Sequence, residues 1–129
     1  AAEVLRRSLV PVLVVPERSE AVAPSPDHPV LVAVDLAGLG ERSLRAAREL
    51  AAAYSAPLVV SHVRDVATDS LIGSLPPSPG VLSREEAHTE IDALLREAEI
   101  PGDPELFVIP GDPKAELAKL AQKVRAGAL

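Results

Sequence analysis

The sequence predicts an α/β fold: an open parallel sheet with helices on both faces. Three observations carry this. Short runs of Val, Leu and Ile show no polar alternation, as strands buried on both faces do. Patterns of helical period separate them. From Val30 onward the order is strand, helix, strand, helix, strand, helix, which implies right-handed crossovers and an open parallel sheet.

The first of these runs is Val10–Val15 (VPVLVV), preceded by a short helix carrying Val4, Leu5 and Leu9. Val30–Val34 (VLVAV) and Leu58–Val63 (LVVSHV) follow, and Glu105–Ile109 (ELFVI) is a weaker fourth. Between the second and third runs, Glu41–Tyr54 places Leu44, Ala47, Leu50, Ala51 and Tyr54 on one helical face, with Arg42, Arg45 and Glu49 outside. Ser83–Glu99 opens with a capping box, Ser83 and Glu86. Its inner face is Ala87, Ile91, Leu94, Leu95 and Ala98, and Pro101-Gly102 stops it. The last helix starts with Asp112 as N-cap and Pro113 at the first helical position, and Leu117, Leu120, Ala121 and Val124 form its apolar stripe. Right-handed crossovers moving outward give the strand order Glu105–Ile109, Leu58–Val63, Val30–Val34.

Two stretches interrupt this order. Pro16–Pro29 is polar and proline-rich, as extended interdomain linkers are. Val66–Leu82 is longer than an ordinary connection between a strand and a helix.

Composition narrows the chemistry. Aromatic residues make up 2% of the 129, namely Tyr54 and Phe107, so the core is aliphatic. Thirteen Lys and Arg against 19 Asp and Glu leave a net charge of -6, which repels nucleic-acid backbones and anionic lipid. The chain contains no cysteine, hence no disulfide, thiolate nucleophile or thiolate zinc site. No apolar run approaches the roughly 20 residues that span a bilayer, and the start has neither the basic end nor the apolar segment of a signal peptide. Cytoplasmic location is the expectation. His28, His62 and His88 have no partners at metal-ligand spacing, so no metal is expected. His62, with no nucleophile tied to it, is expected to be packed rather than catalytic. Gly38-Leu39-Gly40 lacks the third glycine and the lysine of a phosphate-binding fingerprint.

Residues 30–63, VLVAVDLAGLGERSLRAARELAAAYSAPLVVSHV, resemble the opening strand–helix–strand unit of the universal stress protein family. The strand ending in Asp35, Leu44 with Ala47, and His62-Val63 fall in register with the family pattern. Gly111-Asp112-Pro113 matches the family's turn into its third helix, and residues 1–16 resemble the end of such a domain. Ala37 and Gly40 depart from the pattern, standing where the family usually has serines. The resemblance implies a sheet of the Rossmann-like, adenine nucleotide α-hydrolase-like type. It also implies a tandem arrangement: 1–16 as the last helix and strand of a preceding domain, 17–28 as linker, and 29–129 as the first part of a second domain. The family's fourth strand and its Gly-x-x-Gly…Gly-Ser/Thr phosphate loop are expected to be missing.

Ligands of such sheets bind beyond the carboxyl ends of the strands. By resemblance, the cofactor-binding residues are Ala33, Val34, Asp35, Val63 and Gly111, with Asp35 meeting the adenosine and Val63 meeting the adenine through its backbone. Each has a plainer explanation. Asp35 is a common turn former, Val63 ends a core strand, and Gly111 belongs to an ordinary turn before an N-cap. No catalytic residue is expected, because no general base, metal cluster or electrophile clamp is evident.

The resemblance therefore implies a regulatory protein of the stress response, not an enzyme, that binds ATP or a related adenine nucleotide. The alternative is a scaffold or dimerisation domain of the same fold that has lost the nucleotide. An adenylating enzyme is the least supported reading. Val10–Val15 is expected to form a homodimer or pseudo-dimer contact, since Pro11 and Pro16 lack ladder donors and suit an edge.

Overall fold

A computed structural model of the chain describes residues 3, 7, 22–36, 38, 40–64 and 83–129. The expected strand Val10–Val15 and the stretch Val66–Leu82 lie outside them. Of the expected N-terminal helix, Glu3 and Arg7 are helical and joined by an exposed ion pair of 3.0 Å.

From Val30 the elements are β1 (Val30–Ala33), α1 (Gly40–Ala53), β2 (Leu58–Arg64), α2 (Arg84–Glu97), β3 (Glu105–Pro110) and α3 (Pro113–Val124). The strands pair in parallel in the order β1-β2-β3, as the crossovers predict, with Val30 opposite Leu58 and Val63 opposite Ile109.

Both faces of the sheet are covered, and the even and odd residues divide between them. Val30, Val32, Val34 and Val60 pack with Leu44, Ala47 and Ala51 of α1 and with Ala87, Ile91 and Ala98 of the α2 segment. Leu31 and Val59 pack on the other face against Leu120 of α3. Two sides fully covered leave no polar face, which is why the strand runs show no alternation.

The two capping expectations hold for their helix starts. Ser83 Oγ accepts the Glu86 N–H at 3.1 Å, and Asp112 Oδ2 accepts the Ala115 N–H at 3.0 Å. The helix ends were less visible in the sequence. Each helix closes with a left-handed residue that is not glycine: Ser55 (φ 51°), Glu99 (φ 55°) and Arg125 (φ 57°). In each, the residue after it donates back five positions, Ala56 to Ala51, Ile100 to Leu95 and Ala126 to Ala121. This paired closure satisfies the last carbonyls. It also corrects one expectation: Tyr54 falls in the closing turn of α1 and is 46% exposed, not part of the inner face. α2 likewise ends at Glu97, where Arg48 of α1 donates to the carbonyls of Ala98 and Glu99 at 3.0 and 3.1 Å.

The segment before β1 is not extended throughout. Ser25 and His28 exchange backbone hydrogen bonds of 3.0 Å around a tight turn, and His28 Nδ1 contacts the Arg125 carbonyl at 2.9 Å. Gly127 N–H donates to Pro29 O at 2.8 Å and Leu31 N–H to Ala128 O at 2.9 Å. Ala128 thereby forms a single parallel bridge with Val30. It stands on the side of β1 away from β2, where the sequence reading expected the fourth strand to be missing.

Candidate functional site

The carboxyl ends of β1 and β2 are built from Val34–Asp35 and Ser61–His62–Val63. In a parallel ladder the N–H and C=O of one residue face the same neighbour, and successive residues face opposite neighbours. Pro57 O accepts from Val30 and Ser61 O from Val34, so the odd residues of β2 face β1. Arg64 O accepts from Gly111, so the even ones face β3. Val63 therefore turns both backbone groups toward β1. Residue pairing between β1 and β2 stops at Ala33, opposite Ser61, and the bond from Val34 N–H to Ser61 O is the last of the ladder. Among the described residues Val63 therefore has no pairing partner on that side, where the chain of β1 runs on into Asp35.

Val34 is held from several directions. Its N–H donates to Ser61 O at 2.8 Å, and its C=O accepts from His62 Nδ1 at 2.8 Å. A carbonyl only accepts, so Nδ1 carries the proton. Beneath it, Ser61 Oγ donates to Val32 O at 3.0 Å in a fully buried contact. The Val34 side chain is 4% exposed and rests against Gly40, where a Cβ would lie 2.8 Å from Val34 Cγ1, 2.9 Å from Leu94 Cδ1 and 3.0 Å from Asp35 O. Gly40 lets the turn after β1 fold down onto the sheet and α2. A departure from the family pattern in sequence is, in space, a close contact.

The five expected binding residues are thus placed unequally. Ala33 is exposed at the tip of β1, and Asp35 is exposed just beyond it. Val34 has its backbone groups engaged and serves as the support beneath Asp35. Val63 is half-buried, with its ladder groups facing the side of Asp35. Gly111 stands one strand further away, at the end of β3. Its N–H is engaged by Arg64 O at 2.9 Å, and its φ of 139° admits little but glycine. A Cβ there would also lie 2.7 Å from Glu116 Cγ. Asp35, Val63 and their supports form one group; Gly111 is set apart from it by the width of β2.

A cleft of about 350 Å³ opens beside Asp35 between the start of α1 and α2, and Glu41, Glu90 and Glu97 also line it. Glu41 is paired with Arg45. A larger cleft of about 560 Å³ lies at the opposite, amino ends of the strands, walled by Pro29, Pro57, Pro101 and Pro104 with Phe107 and Lys123. Size alone would favour it, and Asp103 and Glu105 line it as well, but it is remote from the strand ends where such sheets hold ligands. Among the described residues no group of three or more His, Asp or Glu is arranged to hold a metal ion.

The roles of Gly40 and His62 were not evident from the sequence. His62 was expected to be packed, and it is, but its bond to Val34 O spans 28 positions and no local spacing announces it.

A crystal structure of a universal stress protein in complex with cAMP matches this chain with a TM-score of 0.52 at 19% identity, covering 79% of this chain and 69% of that one. At that identity the likeness is one of fold. No curated protein sequence matches the chain. The sequence model of the Universal stress protein family matches residues 28–128. That match takes in all six elements from β1 to α3, and with it the chain belongs to the universal stress protein family.

Proposed function

We propose that the carboxyl ends of β1 and β2 form the base and ribose half of a regulatory adenine-nucleotide site, in a stress-response protein that is not an enzyme. One observation carries this. Val63 offers a backbone donor and acceptor toward the side on which, among the described residues, it has no pairing partner, next to the exposed Asp35. An adenine can use one donor and one acceptor on its edge, and a ribose hydroxyl can donate to the carboxylate. The related universal stress protein crystallised with cAMP is consistent with an adenine ligand.

Charge bears on which nucleotide. Asp35, Glu41, Glu90 and Glu97 surround the neighbouring cleft. A triphosphate needs a nest of N–H donors or cations. ATP, the ligand the family resemblance implies, therefore depends on groups beyond this half-site. The acidic lining also favours the second reading, a scaffold or dimerisation domain without nucleotide. The dimer contact through Val10–Val15 belongs to that reading too, as does cytoplasmic location to both. Among the described residues no helix is long and apolar enough to cross a membrane.

The test is a titration followed by amide NMR. Adenosine should move the Asp35 and Val63 amides, and Asp35→Ala should weaken that binding by about 1–3 kcal/mol, the range for a hydrogen bond to a charged group. ATP should bind this chain no more tightly than adenosine. Absence of any shift at Asp35 and Val63 would leave the scaffold reading, and micromolar ATP binding would refute the charge argument.

A further inference from the structure

We propose that His62 is a positioning residue for this site, acting on Asp35 through the Val34 carbonyl. The inference rests on the reading that Asp35 meets the ligand. The peptide joining Val34 to Asp35 is planar, so the direction of the Val34 C=O fixes the direction of the Asp35 N–H and the placement of the Asp35 Cα. His62 Nδ1 donates to that carbonyl at 2.8 Å. The other end of Val34 is tied by its N–H to Ser61 O at 2.8 Å. Three consecutive residues of β2 thus act together: Ser61 and His62 fix the peptide that carries Asp35, and Val63 presents the adjoining backbone groups.

The geometry makes this more than a packing contact. The last ladder bond between the two strands is that of Val34 N–H to Ser61 O, and the Val34 carbonyl, next in the ladder, is taken by the His62 ring. Val34 and His62 both lie on the α1–α2 face, following the even residues that fill that core. The His62 ring can therefore cross from β2 to the end of β1 over that face. It replaces, with a side chain, the restraint that the next ladder bond would have supplied.

Three variants of the full chain separate positioning from mere support. Asn at position 62 places its side-chain nitrogen close to where Nδ1 stands, whereas Leu has no donor and Gln carries its donor one bond further out. His62→Leu should shift and broaden the Asp35 and Leu36 amide resonances without ligand, and raise the Kd for adenosine about tenfold. His62→Asn should restore both toward wild type even if its melting temperature is lowered. If His62→Leu does not fold, the Asn and Gln variants carry the same comparison.

Equal behaviour of the Asn and Leu variants, or of Asn and Gln where Leu fails to fold, would overturn the proposal. So would Asp35 resonances unmoved by loss of the donor. Should the wild-type chain bind no adenosine, the reading of Asp35 as a ligand contact fails, and the ligand-free resonances still decide whether His62 positions it.

Discussion

Gly40→Ala isolates the contact that seats the turn after β1. The added methyl would stand 2.8 Å from Val34 Cγ1, 2.9 Å from Leu94 Cδ1 and 3.0 Å from Asp35 O. Carbon atoms prefer separations of about 3.5–4.0 Å, so these neighbours must retreat by several tenths of an ångström. Leu94 Cδ1 is the far end of a flexible side chain and can move. Val34 cannot move as easily: its branched side chain is stiff, and both its backbone groups are hydrogen-bonded. Asp35 O is backbone. Overpacking of this kind costs about 1–3 kcal/mol. Against it stands the gain from replacing glycine in a helix, about 0.5–1 kcal/mol. That gain is incomplete here because Gly40 is the first residue of α1. The steric term wins, leaving a net destabilisation of about 1–2 kcal/mol. For a domain of this size the melting temperature should fall by about 5–10 °C. Thermal unfolding measures the loss, and amide NMR should show Asp35 and Leu36 displaced, since the methyl presses on the Asp35 carbonyl. A variant as stable as wild type, or more so, would show that the turn is soft and that helix propensity governs this position.

Two further substitutions test other parts of the fold. Ser55→Gly should stabilise the chain by about 0.5–1 kcal/mol, because the left-handed conformation at φ 51° costs a residue with a Cβ more than the freedom glycine loses on folding. Chemical denaturation reads this, and a loss of stability would mean that the Ser55 side chain contributes something the closing turn does not explain. Gly127→Ala would put a methyl 2.5 Å from Pro24 Cα and 2.8 Å from the Ala23 carbonyl carbon, both backbone. The turn at 25–28 should therefore detach from the end of α3, and the His28 ring resonances should shift as the contact with Arg125 O is lost. Unchanged His28 resonances would show that the two segments can part slightly at no cost.

The sequence by itself determined the parallel sheet, its strand order and the starts of two helices. Strands covered on both faces must be apolar throughout, crossover handedness is nearly invariant, and Ser83 and Asp112 cap donors only three residues away. It also placed Asp35 and Val63 at the ends of their strands, since that needs only strand boundaries. The tertiary structure decided the rest. Ser55, Glu99 and Arg125 close their helices without glycine, so composition gave no signal, and Tyr54 left the core as a consequence. Gly40 is required by atoms from Val34 and Leu94, and His62 acts on a carbonyl 28 residues away. The backbone of Gly111 is claimed by Arg64, on the neighbouring strand. Local pattern reports what a residue needs from its near neighbours, whereas contacts made across strands and helices exist only once the chain has folded.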